Sequence, residues 1–128
     1  MADPLGKRSV EIVVFNHTNA DLTVQGPAAG SACAWAPAQQ PNTGDTLPSC
    51  GAAKWGVTSN DVLTTVQGWL ALSGLGEPMV EISFSNDQSD ATQCTATPNS
   101  RIRTRVEHQP SGRSNHPLWT VTLTSAHD

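Results

Sequence analysis

The chain reads as an all-β protein, a single-domain antiparallel β-sandwich, and three observations lead there. Short segments alternate apolar and polar residues with a period of two, among them Met79 to Ser85 and Arg101 to His108. Ten glycines and nine prolines punctuate those segments, and charged residues make up only 14% of a chain rich in Ser, Thr, Asn and Gln. Nothing alternates strand with helix, which removes the α/β architectures.

Residues 1–8 carry Pro4 and Gly6 without apolar periodicity and read as a loose leader, with the domain running over 9–128. From Ser9 to Asn16, Val10, Ile12 and Val14 alternate with Glu11, Val13 and Phe15, giving a strand whose faces are both largely apolar, as expected between layers. His17 to Asp21 then reads as a turn, and Leu22 to Gln25 as the returning strand of a hairpin. Gly26 to Gly51 is the least regular region, because Pro27, Pro37, Pro41 and Pro48 exclude a central strand. Within it only Ala32 to Trp35 looks like an anchoring insertion, and Trp35 either packs under its loop or stands at a contact surface.

Lys54 to Leu72 is the centre of the chain. It holds Trp55 and Trp69, two of the four tryptophans, and no charge falls between Asp61 and Glu77. Asn60 or Asp61 would cap a helix here, but Thr64, Thr65, Val66 and Gly68 favour a buried strand over Val62 to Leu72. Gly74 to Pro78 is a turn, and Met79 to Ser85 places Val80, Ile82 and Phe84 on one face with Glu81, Ser83 and Ser85 on the other. Asn86 to Ser100 reads as a long polar loop, the kind of segment in which binding residues collect. Arg101, Arg103, Arg105 and Glu107 then share one strand face, opposite Ile102, Thr104, Val106 and His108. After the turn-rich Gln109 to Pro117, Leu118 to Thr124 closes the fold with Trp119, Val121 and Leu123 inward.

Charge and cysteine usage narrow the function. A net charge of -4 and an isoelectric point near 5.4 supply no field for a polyanion, so nucleic acid is not an expected partner. No apolar run approaches the roughly 20 residues of a spanning helix, and Met1 to Lys7 lacks the build of a secretory signal, so the chain reads as soluble with its compartment open. Cys33, Cys50 and Cys94 lack the close pairing of a zinc site, and the four histidines lack i, i+2 or i, i+4 partners, so neither metal nor cofactor is expected. Cys33 and Cys50 flank the Pro/Gly-rich loop; either a disulfide closes it or the three cysteines are buried thiols. Asn16-His17-Thr18 is a glycosylation sequon at a strand end, expected to be unused. Cys94 with His108 or His116 is the nearest thing to a nucleophile and base, without a local signature around it, and no enzyme activity is expected.

Two groups of side chains suit recognition. Arg101, Arg103 and Arg105 can grip a phosphate or another anion bidentately, or else form a solvated face crossing to Glu11, Glu81 or Glu107. Trp35 and Trp55 suit a membrane-water boundary, or else the core.

The spacing of these segments resembles the aegerolysin-like family, whose bacterial crystal-protein and fungal members are small β-sandwich proteins related in shape to actinoporins. Arg8 to Thr18 resembles that family's opening strand, which starts Arg-Ser and ends Asn-x-Thr; Ala34-Trp35 before the Pro-rich loop is similar to its Gly-x-Trp and Pro-Pro segment. Trp55 to Ser59 matches a Trp-x-x-x-Ser pattern, Gln67 to Leu72 stands where Glu-Gly and an alternating strand stand, and Leu118 to Thr124 resembles the closing strand. Phe84-Ser85-Asn86-Asp87 replaces the family's Trp-Asp-Asn-Pro stretch, and tyrosine is absent. The resemblance implies a non-enzymatic protein that binds membrane lipid headgroups, often beside a separate pore-forming partner. A lectin-like module on the same architecture, binding sugar through Asn86 to Ser100 and the loop tryptophans, is the alternative.

Overall fold

The computed structural model describes residues 8–31, 33–61, 64–87, 91–109 and 116–126. The expected leader therefore lies outside the described residues, apart from Arg8, which opens the first strand. Among the described residues there are ten strands and no helix: β1 (Arg8–His17), β2 (Leu22–Ala29), β3 (Ala34–Trp35), β4 (Thr46–Leu47), β5 (Ala52–Ser59), β6 (Val66–Ser73), β7 (Val80–Asn86), β8 (Thr92–Ala96), β9 (Ile102–Gln109) and β10 (Leu118–Ser125). They form two five-stranded sheets, a first in the order β3-β5-β1-β10-β9 and a second in the order β4-β2-β6-β7-β8. The expected all-β sandwich is the observed one.

One pairing departs from the antiparallel pattern. β1 and β10 run parallel, from Glu11 opposite Leu118 to His17 opposite Thr124. Parallel neighbours need a long crossover, and here almost the whole chain supplies it.

The core lies between the sheets. Val10, Ile12, Val14, Val57, Val121 and Leu123 from the first sheet meet Leu72, Val80, Ile82 and Phe84 from the second, each at most 2% exposed. Gly68 sets how closely they meet: a Cβ there would fall 2.7 Å from Val57 Cγ2 and 2.9 Å from Phe84 Cζ. The central stretch is thus two strands, β5 in one sheet and β6 in the other. Its second half forms a strand from Val66 to Ser73 rather than from Val62: Val62 and Leu63 lie outside the described residues, and Thr64 and Thr65 precede the strand, with Thr64 N donating to Asp61 O at 3.1 Å in a turn.

Three expectations are corrected. β1 and β2 are not a hairpin, since β1 pairs with β5 and β10 whereas β2 pairs with β4 and β6. The buried Asn16 turns the chain between sheets: Nδ2 donates to Ala20 O and Leu47 O, both at 2.9 Å, while Oδ1 accepts from Thr18 N at 3.0 Å and Thr18 Oγ1 at 2.6 Å. The segment Asn86 to Ser100 is not all loop, because Thr92–Ala96 forms β8 against β7, with Asn86 opposite Thr92. Its inward residues are only Thr92, Cys94 and Ala96, too weakly apolar to announce a strand. The prolines of Gly26 to Gly51 leave β3 and β4 as two-residue edge strands, but they do not keep every strand out of the region, because β2, between β4 and β6, runs on through Pro27 to Ala29. Strand β2 passes Pro27 only through a bulge between Gln25, opposite Ala71, and Ala28, opposite Trp69.

Candidate functional site

The three arginines sit on and beside edge strand β9. Arg103 lies opposite Thr124 and Arg105 opposite Thr122, which puts both on the outer face of the first sheet. There His17 and Phe15 of β1 continue the same two rows, their rings 5.8 Å apart. Arg105 Nε is 3.3 Å from Glu107 Oε1, an exposed pair worth about 0.5 kcal/mol at most. Arg101 precedes the strand, and its Cβ lies where a side chain on Gly76 would come within 2.8 Å. The Gly76 turn leads to Met79, which is 44% exposed. Arg103 and Arg105 therefore share a face, with Arg101 at its end.

The tryptophans offered for a membrane boundary are placed elsewhere. Trp55 stands opposite Ile12 inside the sandwich and is 7% exposed, so it belongs to the core rather than to a surface. The reason is topological: β5 lies between β1 and β3, and its inner residues have nowhere to go but the core. Trp35 is half-buried, tilted against Phe84 at 6.2 Å between ring centroids. It lies on the opposite edge of the first sheet from β9, so the five candidate residues do not form one site.

Sequence reasoning passed over Trp69. This residue is 42% exposed at the middle of the second sheet, on its outer face. The signal was present in the alternation of β6, where Val66, Gly68, Leu70 and Leu72 are buried and Gln67 and Trp69 are exposed. The indole is surrounded by small side chains: Ala28 on β2 and Ser83 on β7 lie directly across, and Ala71 follows on β6. That contrast in size leaves a groove of about 430 Å³ on one side of the ring, reaching Met79, and a smaller depression of about 120 Å³ on the other. Polar groups converge on the groove. Ser83 Oγ and Thr95 Oγ1 are 2.7 Å apart in it, and Gln25 is held by a 3.2 Å bond from Nε2 to Ser73 Oγ.

Among the other reactive groups, Ser9 is buried and His116, Cys33 and Cys94 are partly buried, while Cys50 is exposed. Ser9 Oγ lies 2.8 Å from His116 Nδ1, but Ser9 has no exposed surface. All three cysteines are free. The loop disulfide does not form because Cys50 stands two residues before β5, while Cys33 adjoins Ala34, which pairs with Thr58 near the other end of that strand. That separation is about 20 Å along a strand, against the roughly 7 Å limit for a bridge. Burial pushes the Cys94 thiol up to about 12 from its ordinary 9.0. Among the described residues no three His, Cys, Asp or Glu side chains are grouped to hold a metal ion.

No protein-family model matches the chain, and no curated protein sequence does. A solved structure does: IP-1A from Alcaligenes faecalis superposes with a TM-score of 0.65 over 97% of this chain and 95% of that one, at 12% sequence identity. The likeness is one of fold. It matches the β-sandwich that the aegerolysin-like resemblance implies.

Proposed function

We propose that this protein is a non-enzymatic binding module of the aegerolysin-like kind that recognises membrane lipid headgroups. The observation that carries the reading is the exposed Arg103–Arg105 pair on the outer face of β9, with Arg101 beside the turn that presents Met79. A guanidinium holds a phosphate through two parallel N–H donors, and an edge strand leaves those side chains room to do so. Met79, exposed after the turn that Arg101 packs against, supplies an apolar chain, and cations with an exposed apolar chain are the combination that an interfacial contact uses. Because the net charge is -4, the attraction is local rather than global and weakens as salt rises. The resemblance sets such a module beside a separate pore-forming protein, and that partner belongs to the same proposal.

Vesicle sedimentation tests it. At low salt the protein is expected to pellet with at least one of three compositions: phosphatidylcholine alone, phosphatidylcholine with phosphatidylserine, or sphingomyelin with cholesterol. Arg103→Ala is expected to reduce pelleting several-fold while moving stability by less than about 0.5 kcal/mol, since the side chain is exposed. Protein left in the supernatant with all three would remove the proposal.

A further inference from the structure

The groove at Trp69 lies on the outer face of the other sheet from the arginines, and of its lining only Met79 enters the lipid reading. We infer that it is a saccharide-binding site, in which a neutral oligosaccharide lies across the second sheet with one pyranose ring on the Trp69 indole. An exposed tryptophan in mid-sheet leaves a large apolar ring in water, and the alternating wet face of an antiparallel sheet gives no structural reason for it. Here the ring has room above it because its neighbours Ala28, Ala71 and Ser83 are small.

The polar lining fits hydroxyl groups. Glu81, Thr97 and Gln93 make no hydrogen bond or ion pair through their side chains among the described residues, and each lines one of the two depressions. They therefore have donors and acceptors to offer, while the Ser83–Thr95 hydroxyl pair lies between the depressions and lines both. A pyranose presents an apolar C–H face to an aromatic ring and hydroxyls at its rim, which matches an indole bordered by amide, hydroxyl and carboxylate groups. Depressions on both sides of one ring suit consecutive sugar units better than a compact ligand.

The charge of the lining selects among saccharides. Glu81 is the acidic side chain lining the larger groove and no Lys, Arg or His of the described residues lines either depression, so sulfated or carboxylated sugars are disfavoured. One carboxylate also suits binding rather than cleavage, since glycoside hydrolysis normally takes a pair.

The test titrates the intact protein, without lipid, against cellohexaose, chitohexaose and laminarihexaose, with a heparin hexasaccharide as the charged control, reading calorimetry and tryptophan fluorescence. At least one neutral probe is expected to bind and to alter tryptophan emission. Trp69→Ala is expected to weaken that binding at least about tenfold and Trp69→Phe by less, because phenyl keeps a stacking face. Thermal unfolding of both variants confirms that the fold persists. Absence of binding by all three neutral probes up to about 10 mM, binding of the heparin fragment alone, or equal affinity in Trp69→Ala would overturn the inference. Arg103→Ala is expected to bind the neutral probe normally, so the result stands apart from the vesicle experiment.

Discussion

The indole Nε1 of Trp119 donates to the Thr92 hydroxyl at 2.9 Å, joining the last strand of the first sheet to the edge strand of the second. Thr92 passes the bond on, donating to Ser85 O at 2.7 Å, and His108 stacks on the same indole at 4.6 Å between centroids. One side chain thus closes the open side of the sandwich where β8 and β9 are both edges. Trp119→Phe keeps a ring for His108 and removes the N–H donor. It is expected to cost about 1 kcal/mol, read as a lower urea midpoint at unchanged slope.

Asn16 makes a larger contribution. Its amide satisfies Ala20 O, Leu47 O and the Thr18 N–H, all at a position with no exposed surface. Replacing it with alanine removes the donor from the buried Leu47 O and from the part-buried Ala20 O, which keeps Thr18 Oγ1 at 3.0 Å. Asn16→Ala is expected to destabilise the protein by about 3 kcal/mol, with Asn16→Asp little better because it keeps the acceptor and loses both donors. Equilibrium denaturation measures this directly. The same burial keeps the sequon nitrogen from any glycosyl transfer in the folded chain.

Gly68 limits the distance between the sheets. A methyl group there must displace Val57 and Phe84, both in the packed core. Gly68→Ala is therefore expected to destabilise by about 1–3 kcal/mol even though alanine has the higher strand propensity. Gly26 gives the contrast. Nothing lies within 4 Å of its Cβ direction, and its φ of +53° alone makes a side chain unfavourable, so Gly26→Asn is expected to be better tolerated than Gly26→Val.

The strands were legible where alternation was strong. Val10 to Val14, Val80 to Phe84 and Leu118 to Leu123 each place apolar residues at a spacing of two, and all three form strands with those residues inward. Pairing was not legible, because alternation fixes a strand's faces and says nothing of its neighbours; hence β1 and β2 looked like a hairpin and belong to different sheets. Burial also misled the reading of tryptophan. Trp55 in β5 and Trp69 in β6 look alike as large apolar residues, and only the phase of alternation separates the core one from the exposed one. The shared face of Arg103 and Arg105 was readable for that same reason.

Cys94 provides a pH-dependent check. Its thiol is raised from 9.0 to about 12 by burial between the sheets, so the folded state holds the proton more tightly than the unfolded chain does. Below the unfolded value both states are protonated and the contribution is fully present. As pH climbs from 9 towards 12 the unfolded chain loses its proton first, and stability falls. Urea midpoints near pH 7 and about pH 10 are expected to differ more for the parent protein than for Cys94→Ala, which has no thiol to titrate. A matching alkaline loss in Cys94→Ala would contradict the assignment. Thiol labelling follows the same physics: exposed Cys50 reacts first in the native protein, Cys94 reacts only on unfolding, and all three cysteines react in denaturant.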